Sequence, residues 1–103
     1  MQNKVRLFNE EKDCHFKPMP AHARLLDIMS ELGELGKEIL KNTKYGTEDF
    51  ALSENFVMEY GDVLYSLLSL ANETGIDSEA ALDKAIDKYR NRIKSKGDMG
   101  SGR

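Results

Sequence analysis

From Ala21 to about Lys44, apolar residues return every three or four positions, at Leu25, Ile28, Met29, Leu32, Leu35, Ile39 and Leu40, which is the period of an amphipathic helix. Asn42 to Leu52, with Tyr45-Gly46-Thr47 inside it, loses that period and reads as a loop. Ser53 then stands where a side-chain oxygen can cap a second helix. The apolar residues Phe56, Val57, Tyr60, Val63, Leu64, Leu67, Leu68 and Ala71 of this helix cover an arc well over the ~100° of an ordinary surface helix. So wide a face is expected to meet more than one neighbour. Gly75 is placed as its left-handed C-cap, with Ile76 as the apolar residue that follows such a stop. Asp77 or Ser78 caps a third helix, which carries Leu82, Ala85, Ile86, Tyr89 and Ile93 along one side and ends by Gly97.

The ends of the chain are less regular. Residues 1–20 are mixed in character and finish in Lys17-Pro18-Met19-Pro20, where two prolines discourage a continuous helix, so they are assigned no regular structure and are treated as an N-terminal arm. Residues 97–103, Gly-Asp-Met-Gly-Ser-Gly-Arg, have almost nothing to bury and are expected to be a disordered tail. The pattern therefore predicts an all-α domain over residues 21–96, a bundle of three main helices. A chain of 103 residues can build only a small core, and association with further copies is the natural way to complete it.

Acidic residues interrupt this pattern at telling places. Glu31 and Glu34, and then Glu59 and Asp62, are three residues apart, less than one helical turn, so each pair points one way. Two such helices packed together would set four carboxylates around one point, and hard divalent cations such as Mg2+ are held by oxygen ligands of this kind. Asp27, Glu31, Glu34 and Glu38 fall within roughly a 60° sector beside the apolar stripe. On the first helix the bland alternative is a solvated face with Glu34 to Lys37 and Glu38 to Lys41 ion pairs. On the second it is weaker, because no lysine or arginine occurs between Ser53 and Asp83. Unpaired carboxylates at the margin of a core are costly to desolvate, so a cation or a basic partner is expected there.

The third helix supplies the opposite charge, with Lys88, Arg90, Arg92, Lys94 and Lys96 in its second half and Lys84, Lys88 and Arg92 on one side. A helix C-terminus favours cations through its dipole alone. Acids for a metal together with cations for phosphate oxygens are nevertheless the two halves of a polyphosphate site. Composition narrows the field further. The net charge of -3 argues against a general nucleic-acid binder, and 40% hydrophobic with 32% charged residues fits a soluble globular chain. Cys14 is single and cannot form an internal disulfide, and no segment approaches the ~20 apolar residues of a membrane span. A cytoplasmic location is expected, with neither nucleic acid nor membrane as partner.

Leu32-Gly33-Glu34-Leu35 after Glu31, then Glu59-Tyr60-Gly61-Asp62-Val63-Leu64, Leu70-Ala71 before Gly75-Ile76-Asp77, Ala81-Leu82, and Lys88-Tyr89 followed by Arg92 together resemble the MazG-like nucleoside triphosphate pyrophosphohydrolases, across roughly Ala21 to Ile93. The resemblance implies an all-α fold working as a homodimer or homotetramer. It also implies Mg2+ (Mn2+ as an alternative ion) bound through Glu31, Glu34, Glu59 and Asp62, phosphate contacts from Lys88 and Arg92, and cleavage of a nucleoside triphosphate to the monophosphate and pyrophosphate in the service of nucleotide-pool sanitation. Two positions depart from the family pattern. Ser30 stands where many members have a further carboxylate, which leaves either Glu38 as a substitute catalytic base or the metal's own acidification of water, and Ile86 stands where some members have asparagine.

Three rivals set the alternatives. Phosphoribosyl-ATP pyrophosphohydrolases also use acidic pairs in short helical chains, but the Gly75-Ile76-Asp77 turn and the Lys88 to Arg92 pattern favour the MazG-like branch. A non-catalytic dimerisation module would leave the acids merely solvated. A di-iron bundle is disfavoured because neither His15 nor His22 has a glutamate three residues before it.

Overall fold

A computed structural model of the chain describes residues 1–96, and the expected disordered tail at 97–103 lies outside the described residues. All regular structure among them is helical, in the order α1 (Gln2–Asp13), α2 (Ala21–Asn42), α3 (Glu54–Thr74) and α4 (Ser78–Lys96). No helix among the described residues is long and apolar enough to cross a membrane.

The helix stops follow from local chemistry. Ser53 accepts a hydrogen bond from the Phe56 N–H at 3.1 Å and caps α3. Gly75 ends it in the left-handed region (φ 76°, ψ 22°), and the Ile76 N–H returns to the Ala71 carbonyl at 2.8 Å. Of the two candidate caps for α4, Asp77 is the one that serves, its carboxylate accepting from the Ala80 N–H at 3.2 Å. In the α2–α3 loop the Asn42 carboxamide brackets Ala51, donating to its carbonyl and accepting from its N–H, and Phe50 meets Phe56 edge-on.

Four helices, rather than three, correct the reading of the N-terminal arm. Residues 2–13 hold only Val5, Leu7 and Phe8 as apolar residues, and α1 is held largely by polar contacts. Only Val5 is buried, while Asn9 bonds Ser69 and Tyr65, and Gln2 bonds Asn72. Phe8 adds an edge-on contact with Tyr65, their ring centres 5.9 Å apart. Pro18 and Pro20 fall in the connection to α2, where the helical break was expected.

The chain is far from compact. Its radius of gyration is 17.0 Å, against about 13 Å for a globular domain of this length. The buried apolar core amounts to Val5, Ile28, Leu68 and Ala71. α3 packs mainly along α2 and also against α1, whereas α4 makes only marginal contact with the other helices. Much of the stripe that announces α2 consequently faces outward: Leu25, Met29, Leu32, Ile39 and Leu40 are exposed, Met29 at 61%.

Candidate metal centre

The α2–α3 contact is a polar seam. Arg24 pairs with Glu73 at 3.2 Å, Asp27 accepts from the Ser66 hydroxyl at 2.9 Å, and Glu31 meets Glu59 and Asp62. Partner numbers on α3 fall as those on α2 rise, so the two helices run antiparallel. Serines at 66 and 69, both buried, are small enough to let helices approach α3 closely. At one end of the seam Arg24 is only 2% exposed, lies over the Tyr65 ring at 5.6 Å, and is neutralised by Glu73. A buried guanidinium without such a partner would be costly.

Toward the other end the seam turns wholly acidic. One carboxylate oxygen from each of Glu31, Glu59 and Asp62 lies within 4.8 Å of the others. Among the described residues none of the three has a lysine or arginine partner within ion-pair distance. Burial, followed by the charges of Asp62, Asp27, Glu59 and Glu34, pushes the Glu31 carboxyl above the usual carboxylate range. Three hard oxygen donors, mutually repelling and without a basic partner among the described residues, fit a divalent metal ion.

The other candidate residues are placed differently. Glu34 points to Lys37, 3.6 Å away, and both are exposed. Glu38 lies about 10 Å further along α2 from Glu31, pairs with Lys41 at 3.3 Å and keeps its side chain 14% exposed. The structure thus brings three of the four acidic-pair residues together and leaves the fourth in an i, i+3 ion pair. Lys44, just past the end of α2, pairs with Glu48. Cys14, His15 and His22 are exposed and apart from the acidic trio. Lys88 is exposed with its ammonium 5.2 Å from the Tyr89 ring centre, and Arg92 is half-buried with Nη1 covered and without a hydrogen-bond acceptor among the described residues.

With this geometry in hand, comparison with known proteins is decisive. Residues 21–96 match the MazG nucleotide pyrophosphohydrolase domain. The chain belongs to that family. It is also 37% identical over 97 residues to an uncharacterized protein, YpjD, of Bacillus subtilis (strain 168), a match that covers 88% of this chain and 80% of that one. No solved structure gives a significant match.

MazG domains typically use divalent metals, and the acidic trio lies wholly inside the matched residues. α1 lies outside them. The cross-helix partners Arg24, Glu73 and Gln2 escaped the sequence reading. A usable signal existed for the first two: Arg24, Asp27 and Glu31 share one sector of α2, as Asp62, Ser66, Ser69 and Glu73 do on α3.

The raised Glu31 pKa has a definite sign. A carboxyl whose pKa is higher folded than unfolded binds more protons in the folded state, so stability without a cation is full below the unfolded pKa and falls as pH rises through the interval up to the folded value. Glu31→Gln should therefore raise the melting temperature of the cation-free protein at pH 7 and leave it unchanged near pH 4. Thermal melts in chelator at the two pH values test this, and equal melting at pH 7 would show that the charge carries no penalty.

Proposed function

We propose that this MazG-family chain is a Mg2+-dependent pyrophosphohydrolase that converts a (deoxy)nucleoside triphosphate to the monophosphate and pyrophosphate. The observation that carries this reading is the convergence of Glu31, Glu59 and Asp62 without a basic partner among the described residues. Glu34 completes the ligand set by leaving Lys37, at the cost of an exposed ion pair worth only about 0.2–0.5 kcal/mol. Bound there, Mg2+ or Mn2+ would neutralise charge developing on the phosphate oxygens.

The remaining work falls to the chain itself. Water attacks the α-phosphorus, the bond to the bridging oxygen breaks, and pyrophosphate departs. Glu38 takes the proton of the attacking water in this reading. It shares the sector of α2 that carries Glu31, about 10 Å further along the helix. Lys88 and Arg92 hold the outer phosphates in this reading, Lys88 from an exposed position on α4. Because α4 barely touches its own α2 and α3, the complete site belongs to a homodimer or homotetramer in which copies cover one another's apolar faces. Sanitation of a cytoplasmic nucleotide pool is the corresponding role.

A screen of nucleoside triphosphates and phosphoribosyl-ATP with Mg2+, detecting monophosphate and pyrophosphate, tests the activity. Turnover of phosphoribosyl-ATP alone would move the chain to that branch, and no turnover of any compound would leave a non-catalytic helical module. Lys88→Ala and Arg92→Ala should each raise KM about tenfold or more with little change in melting temperature, since cations near a helix end add only about 0.3–1 kcal/mol to folding. Loss of stability with normal kinetics would assign both residues to the helix alone.

A further inference from the structure

α4 carries the cations but makes only marginal contact with the other helices among the described residues, so its packing alone does little to set its direction. The connection from α3 is only Gly75, Ile76 and Asp77, and an apolar cleft of about 250 Å³, lined in part by Leu67, Leu70, Ile76 and Ala81, remains between the two helices. α4 has 19 residues, and at about 1.5 Å per residue Lys88 and Arg92 lie roughly 15 and 21 Å from its start. A rotation of about 10° at the turn would displace them by roughly 3–4 Å, where misplacement by about 1 Å can already cost a hundredfold in rate.

The turn is clamped from outside by one residue of α1. The Gln2 carboxamide donates to the Asn72 side-chain oxygen at 2.9 Å and to the Ile76 carbonyl at 2.8 Å, and accepts from the Ser78 N–H at 2.6 Å. Asn72 completes the clamp by donating to the Gln2 backbone carbonyl at 3.1 Å. The last turn of α3, the connection and the first amide of α4 are thereby tied to one side chain. The Ser78 N–H is one of the amides that a helix start leaves unsatisfied, and Asp77 attends to those of Ala80 and Ala81.

We infer that Gln2 is a positioning residue for substrate phosphate: α1, which lies outside the MazG-matched residues, fixes the angle at which α4 leaves α3 and so where Lys88 and Arg92 stand. The substrate half of this inference rests on the proposed pyrophosphohydrolase reading, whereas the clamp does not.

Two variants of the full chain test it. Gln2→Ala removes the clamp. Ser78→Pro removes only the N–H that Gln2 accepts, at a first helical position where proline is well tolerated, and so keeps the test open should Gln2→Ala fold poorly. Amide exchange at residues 79–81 should quicken about tenfold in both. Affinity for Mg2+-pyrophosphate, a probe independent of the base, should weaken about three- to tenfold, while affinity for Mg2+ alone stays unchanged because the acidic seam does not involve α4. Arg6→Ala, which breaks only exposed contacts within α1, to Glu10 and Asn3, serves as the control and should alter none of these. Unchanged exchange would overturn the clamp, and faster exchange with wild-type pyrophosphate affinity would overturn the positioning role. Failure of the wild-type protein to bind Mg2+-pyrophosphate would instead remove the hydrolase reading, leaving exchange to report on the clamp alone.

Discussion

Asp62→Asn should lower kcat/KM by about a thousandfold or more at saturating Mg2+, with the fold intact. The substitution keeps shape and deletes one of three converging charges, and a thousandfold corresponds to about 4 kcal/mol of transition-state stabilisation, within what a bound divalent ion contributes. Because it also relieves repulsion on Glu31, the cation-free variant should melt no lower than the parent. Titration calorimetry with Mg2+ separates lost metal affinity from lost chemistry. Glu34→Gln should do nearly as much, since the proposed site recruits that side chain away from Lys37. Turnover of Glu34→Gln at the parent's rate beside an inactive Asp62→Asn would restrict the protein ligands to the trio. Undiminished turnover by Asp62→Asn would sink the metal assignment itself.

The second large effect concerns assembly. The protein should sediment as a dimer or tetramer at micromolar concentration and lose its cooperative melt when forced apart. Four buried apolar residues cannot hold a chain of this length, while Leu25, Leu26, Met29 and Leu32 on α2 and Val57, Tyr60 and Leu67 on α3 are half or more exposed. Apolar surface on this scale marks an interface, and for an obligate dimer folding is coupled to concentration. Each tenfold dilution should cost about 1.4 kcal/mol of dimer stability and lower the melting temperature by a few degrees. Paired Met29→Glu and Leu32→Glu substitutions should abolish the folded state. A folded monomer at micromolar concentration, with a melt insensitive to dilution, would contradict this and would confine the site to a single chain.

What the sequence determined by itself was whatever depends on residues close along the chain. The extent of α2, α3 and α4 follows from helical periodicity and from caps that act within one turn, at Ser53, Gly75 and Asp77. The two acidic pairs were legible for the same reason, since spacing on a helix dictates a shared direction, and the missing base within α3 could be read directly. Tertiary structure decided the rest. α1 is a helix because Gln2, Asn9 and Val5 find partners on α3, about 60 to 70 residues away along the chain, and the i, i+4, i+7 spacing of Met1, Val5 and Phe8 is too short a signal to name them. Only the packing of α2 on α3 separates Glu31, drawn into the acidic trio, from Glu34, one turn on and turned to Lys37. Periodicity marks α2 as amphipathic but does not say what covers its stripe. Within one chain α3 takes the polar seam of Arg24, Asp27, Glu31 and Ile28 and leaves the neighbouring leucines outside, because direction along a helix is a local property and the choice of partner is not.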